Sequence, residues 1–140
     1  MQINIYSIEK KEDFKKEIEK FIKKSKPFAI INNYTFKLLK STNSQKEYSK
    51  LFEQKVNSGY NIILTPDGKL INSFEFSNLL NHSKINFFIA GAYGFEDEFK
   101  KNGINISLSP LTMSHKIAKL VLFEQIYRGL CIKNYHPYHK

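Results

Sequence analysis

Apolar and polar residues alternate over residues 2–8, QINIYSI, which predicts a short β-strand. The period then changes. In KEDFKKEIEKFIKK, residues 11–24, Phe14, Ile18, Phe21 and Ile22 fall on one helical face with lysines and glutamates opposite. KPFAIINNY, residues 26–34, predicts a second strand. SQKEYSKLFEQKVNSG, residues 44–59, returns to helical spacing at Tyr48, Leu51, Phe52 and Val56, and Gly59 is placed to stop that helix. YNIILT, residues 60–65, is a continuous apolar run of the kind covered on both faces, closed by the turn PDGK. SFEFSNLL predicts a short helix and KINFFIA a further apolar strand. FEDEFKKNG gives a short helix stopped by Gly103, INISL a fifth strand, and SHKIAKLVLFEQIYRGL a long final helix. Five strands alternating with helices predict an α/β fold with a mainly parallel sheet flanked by helices, in a single domain over residues 1–140.

The final helix is apolar around more of its circumference than one stripe against a sheet needs: Ile117, Leu120, Val121, Leu122, Phe123, Ile126 and Leu130 all contribute. Two readings are open, a homodimer partner covering part of it or complete burial within one subunit. Composition adds a direction. The chain carries +9, and after Glu98 seven cations, Lys100, Lys101, Lys116, Lys119, Arg128, Lys133 and Lys140, stand against one acid, Glu124. This suits a polyanionic partner. Of 22 cations only Arg128 is arginine, the residue with a flat forked donor suited to phosphate or carboxylate. A single cysteine, Cys131, leaves no intramolecular disulfide or cysteine zinc cluster, and with no signal-peptide pattern the expected location is the cytoplasm. No apolar run approaches the roughly 20 residues of a membrane helix.

Two strand-to-helix junctions and the terminus hold the candidate chemistry. In FFIAGAYGFEDE, Gly91 and Gly94 allow close backbone approach at the carboxyl end of a strand, where open α/β sheets bind ligands, or simply form a tight turn. The G-x-G-x-x-G fingerprint is absent, and Glu96, Asp97 and Glu98 would repel a pyrophosphate. ISLSPLTMSHKIAKL places Ser107, Ser109, Thr112 and Ser114 before the last helix, more hydroxyls than one cap requires. His136 and His139 have metal-like spacing, but too few further ligands accompany them, and no metal site is expected. Cys131 reads as a small core residue of the last helix. The chain ends in NYHPYHK, two tyrosines and two histidines where a frayed tail would need neither.

Together, FFIAGAYGF, then LSPLTMSHKIAKLVLFEQIYRGLCI, then HPYHK strongly resemble the RlmH family, bacterial pseudouridine-N(3)-methyltransferases of large-subunit ribosomal RNA in the SPOUT superfamily. The resemblance covers about residues 60–140, through the ordered succession L-S-x-x-T-x-x-H, E-Q-x-Y-R and Y-H-K. It implies a SPOUT-type fold with a C-terminal deep trefoil knot, a homodimer, and an S-adenosylmethionine pocket contacted by Leu64, Gly91, Ser109, Pro110, Leu111, Thr112, Met113 and Ser114. It further implies RNA contacts by Glu124, Arg128, His136, Tyr138 and His139, with Arg128, Tyr138 and His139 the catalytic candidates: Arg128 to orient RNA or base, Tyr138 and His139 to frame the base, one of them to take the imide proton. Where the family shows two adjacent glycines this chain has Ala90-Gly91, and the family's proline before the motif histidine is Ser114 here. The expected partner is large-subunit ribosomal RNA within an assembled ribosome. The rival expectations are a non-catalytic basic RNA-binding module and a SPOUT methyltransferase acting on another RNA such as transfer RNA.

Overall fold

The computed structural model describes residues 1–37 and 44–140. Its strands are β1 (Gln2–Ile8), β2 (Ile30–Phe36), β3 (Tyr60–Leu70), β4 (Lys84–Ile89) and β5 (Ile104–Ser107). The helices are α1 (Lys15–Ser25), α2 (Gln45–Phe52), α3 (Ser73–Leu79), α4 (Asp97–Lys100) and α5 (His115–Lys133). The strands form one sheet in the order β2-β1-β4-β3-β5, every neighbouring pair parallel. Parallel neighbours need crossovers, and the helices that supply them cover both faces. On one face Ile3, Ile5, Ile62, Ile85 and Phe87 pack with Ile18 of α1, Phe76 of α3 and Leu122, Phe123 and Ile126 of α5. On the other, Tyr6, Ile63 and Phe88 pack with Tyr48, Phe52, Phe95 and Phe99. Burial on both sides is why β3 and β4 read as unbroken apolar runs.

Two elements differ from expectation. The helix foreseen over 44–59 ends as α2 at Phe52 and continues as a 3₁₀ turn, Glu53–Asn57, before Gly59 reverses the chain at φ +95°. The PDGK turn does not close β3. Leu64 and Lys69 both pair with Ile106, so the intervening Thr65–Gly68 is extruded as a bulge and the strand resumes to Leu70. Gly68 is required there, since a Cβ would sit 2.6 Å from the Ile106 carbonyl carbon.

Polar side chains fix the register of the sheet. Asn32 donates to Asn4 (3.0 Å), Asn4 to Asn86 (3.0 Å) and Asn86 to Asn61 (3.1 Å), an amide chain that crosses β2, β1, β4 and β3 in paired positions. At the opposite end of the strands, Lys119 of α5 is buried and bonds Glu9 Oε2 (3.2 Å) and Thr35 Oγ1 (3.1 Å), with Glu12 Oε1 at 3.8 Å. The last helix is thereby tied to the ends of β1 and β2. Lys100, Lys101 and Lys116 are likewise paired, with Asp67, Glu98 and Asp13. The cationic excess read along the C-terminal stretch is therefore mostly neutralised locally. Lys15, Lys16, Lys20 and Lys23 of α1 are exposed and form no ion pair among the described residues. Among the described residues no helix is long and apolar enough to cross a membrane.

Candidate functional site

The bulge of β3 and the loops at the carboxyl ends of β4 and β5 enclose a cavity of about 550 Å³, within the usual range for small-ligand sites. Leu64, Gly91 and the whole run Ser109, Pro110, Leu111, Thr112, Met113 and Ser114 line it. Sequence reasoning thus placed all eight cofactor candidates on one wall system. It missed Thr65 and Pro66 of the bulge, Ile89, Ile106, Leu108, His115 and Ala118, while Ser107, singled out among the surplus hydroxyls, also lines the cavity. Ser114 caps α5, accepting from the Ile117 amide at 3.3 Å, and so starts the helix. Ser107 donates to the Ser109 carbonyl (3.0 Å), and Ser109 Oγ accepts from the Leu111 amide (2.9 Å). These bonds shape the loop that walls the cavity.

The glycine loop is a tight turn: the Gly94 amide donates to the Gly91 carbonyl at 3.2 Å, and Gly94 holds φ +70°. Among the described residues no lysine, arginine, aspartate or glutamate lines the cavity, and the acids at the start of α4 lie outside it. A ligand bearing a positive centre would meet no lysine or arginine here, although the His115 imidazole lines the same wall, and a flat ring would find Leu64, Ile89 and Ile106. Those features fit S-adenosylmethionine, whose charge is a sulfonium and whose adenine is flat.

The terminus forms a second cluster. His136 donates its amide to the Cys131 carbonyl (2.8 Å), while Tyr135 takes φ +57°, so the tail turns back along α5. The Tyr138 hydroxyl donates to Glu124 Oε2 (2.8 Å), and its ring lies under the Arg128 guanidinium at 4.8 Å and against Tyr127 at 4.7 Å. Arg128 bonds Glu124 through Nη2 (2.9 Å) and approaches His139 Nδ1 through Nη1 (3.0 Å). A guanidinium only donates, so Nδ1 accepts and the neutral ring carries its proton on Nε2. Burial alone would raise the Glu124 carboxyl, but bonds from Arg128 and Tyr138 outweigh it and hold the group below its usual range. Arg128 is raised, chiefly by its bond to Glu124; Tyr138 is raised by burial and then by that same carboxylate. His136 packs on Phe28 and Tyr127, and Lys24 of α1 stands 5.8 Å from the Tyr127 ring, which joins the tail to the cationic surface of α1. Cys131 is buried, its thiol pushed up by desolvation, and is a core residue as expected.

Cavity and tail cluster occupy opposite ends of α5. Ala118 lines the first and Arg128 belongs to the second, ten residues or about 15 Å along the helix axis. One subunit does not bring them together. Residues 1–139 match the family model described as "Predicted SPOUT methyltransferase". The chain belongs to this SPOUT methyltransferase family. Similar proteins named "Ribosomal RNA large subunit methyltransferase H" come from a Nitratiruptor species, at 48% identity over 151 aligned positions covering 99% of each chain, and from Aliarcobacter butzleri, at 45% over 152 covering 100% of each. A third, from Campylobacter concisus, is 42% identical over 152 positions and 100% of each. The all-parallel α/β sheet with helices on both faces is the SPOUT-type fold expected. For a SPOUT methyltransferase the apolar residues still exposed beside the cavity are notable: Leu111 is 77%, Tyr93 61% and Ile117 45% accessible. Much of the remaining apolar surface of α5 is covered by α1, α3 and the sheet of its own subunit.

Proposed function

We propose that the protein is an S-adenosylmethionine-dependent methyltransferase of large-subunit ribosomal RNA, acting on N(3) of a pseudouridine in an assembled ribosome, as a single-domain chain in the bacterial cytoplasm. The observation that carries the reading is the neutral cavity built from the Leu64, Gly91 and Ser109–Ser114 segments in a chain that matches the ribosomal RNA methyltransferases over its whole length. Bound there, S-adenosylmethionine would supply an electrophilic methyl on its sulfonium. Leu64, Ile89 and Ile106, side by side on adjacent strands, would offer the ring one apolar wall, and the glycine and Ser109–Ser114 loops would supply main-chain polar groups.

The protein works as a homodimer. The 15 Å separation along α5 is closed when a second subunit packs over Leu111, Tyr93 and Ile117 and brings its tail to this cavity; the family's trefoil knot orders the two loops for that contact. Arg128 and the α1 lysines meet RNA phosphate, Tyr138 and His139 frame the target base beside His136, and Glu124 holds Tyr138 in place. A phosphate that draws Arg128 away releases His139 Nδ1, which then takes the imide proton.

The test is tritium transfer from labelled S-adenosylmethionine to ribosomes lacking the modification, comparing the full chain with one truncated after Asn134. Incorporation by the full chain alone is expected, with cofactor binding kept by both. Incorporation by both removes the tail from the chemistry. Incorporation by neither folded protein moves the reading to a non-catalytic module or another RNA. Normal turnover by His139→Ala with saturating RNA would remove the base assignment.

A further inference from the structure

The glycine loop that lines the cavity rests on α2, an element that supplies no wall of the cavity itself. Tyr48 is fully buried, and its ring stands directly beneath Gly91: a Cβ there would overlap the hydroxyl and lie 2.7 Å from Cζ. The ring and hydroxyl of Tyr48 thus lie against the main chain of the turn that runs from Gly91 to Gly94. One turn earlier on α2, Gln45 Nε2 donates to the Tyr93 carbonyl at 2.8 Å. The turn between Gly91 and Gly94 is thus held at its Tyr93 carbonyl by Gln45 and braced at Gly91 by the Tyr48 ring, both from α2.

We infer that Tyr48 and Gln45 are positioning residues for the cofactor, which fix the Gly91–Gly94 turn in its binding shape before the ligand arrives. The inference rests on the S-adenosylmethionine reading above. A turn of four residues with a glycine at each end has many shapes open to it, and each one frozen in advance is ordering the ligand need not impose. Gly91 follows from the same contact. Its lack of a side chain serves the ring below it at least as much as the cavity above it.

The experiment is calorimetric titration of the full-length protein with S-adenosylmethionine for wild type, Gln45→Ala, Tyr48→Phe and the double variant, together with KM and kcat on ribosomes. Gln45 is exposed, and Tyr48→Phe keeps the buried ring, so both chains fold. Each single variant is expected to bind about 3- to 10-fold more weakly, Gln45→Ala through one lost hydrogen bond and Tyr48→Phe through the lost contact of its hydroxyl with Gly91, with KM for the cofactor rising and kcat at saturation unchanged. The double variant loses less than the product of the two, because both act on one turn. Wild-type affinity in both single variants overturns the inference and leaves the cofactor reading standing. A fall in kcat at constant KM also overturns it, by placing these groups in the chemical step. No binding by wild type removes the cofactor reading and this inference together.

Discussion

At Tyr135 the backbone takes a conformation that glycine or asparagine adopts readily and a bulky residue does not, φ +57°, with the side chain 96% accessible. Nothing in the fold repays that strain by packing the ring. Tyr135→Gly is therefore expected to stabilise the protein by roughly 0.5 to 1 kcal/mol after the added freedom of the unfolded glycine, seen as a rise in Tm of about 1 to 4 °C. Unchanged or lower Tm would mean the ring has a partner in the folded protein. A few residues away, the depressed carboxyl of Glu124 has a pH consequence. A group whose folded pKa lies below its ordinary value stabilises the fold above that ordinary value, and loses the contribution as pH falls through the folded pKa. The Glu124 contribution to tail docking should accordingly be constant from neutral pH down to about 4.5 and be lost below it. Carboxypeptidase trimming of the last residues across that range measures this, and Glu124→Gln should expose the tail already at pH 7. The same scale shows what a sequence hides. The residues by themselves showed glycines fit for a tight turn and more hydroxyls than one cap requires; Gly91 and Ser109–Ser114 were legible as a pocket only through their resemblance to the family's motifs. Tyr48 was not, because its spacing with Leu51 and Phe52 marks it as an ordinary core residue of an amphipathic helix. Its hydroxyl acquires a role only when β4 places a turn above it. Lys119 was equally hidden, one lysine among 21 until α5 buries it against Glu9.

Among the elements, the strands are joined by more than their backbone ladders. The Asn32–Asn4–Asn86–Asn61 chain joins four strands, and Asn86 is its most committed member: fully buried, bonded to both neighbours and also to the Ser58 carbonyl. Asn86→Ala leaves Asn4 and Asn61 with buried groups unmatched and should cost at least about 3 kcal/mol, whereas Asn32→Ala on the edge strand should cost about 1 kcal/mol or less. Urea unfolding of the two variants decides it, and equal losses would mean the chain adds nothing to register. Strand and helix positions themselves were legible from periodicity, since burial on both faces demands the apolar runs that reveal it. The asparagine chain could not be seen, because each member lies on a different strand and the strands' order was unknown. The β3 bulge was hidden for another reason. Pro66, Asp67 and Gly68 have the chemistry of a turn, and only the resumed pairing of Lys69 with Ile106 shows that the strand continues.

For the whole molecule, alternation of strands and helices established the class of fold but not the sheet order, which sequence-adjacent reasoning would arrange differently. β1 lies inside the sheet between β2 and β4, and its Asn4 partner on β4 is 82 residues later in the chain. The bond from Lys119 to Glu9 spans 110 residues. Such an arrangement has a timetable. At about 5 to 20 residues per second, β1 leaves the ribosome about 4 to 16 s before β4 exists to pair with it. Once β2 has followed, for the rest of that interval, Ile3, Ile5 and Tyr6 have β2 on one side and an open hydrogen-bonding edge on the other. Every newly made copy therefore passes through a period when its first strand must be kept from pairing with some other chain, and the protein's yield in a crowded cell depends on how that period is managed.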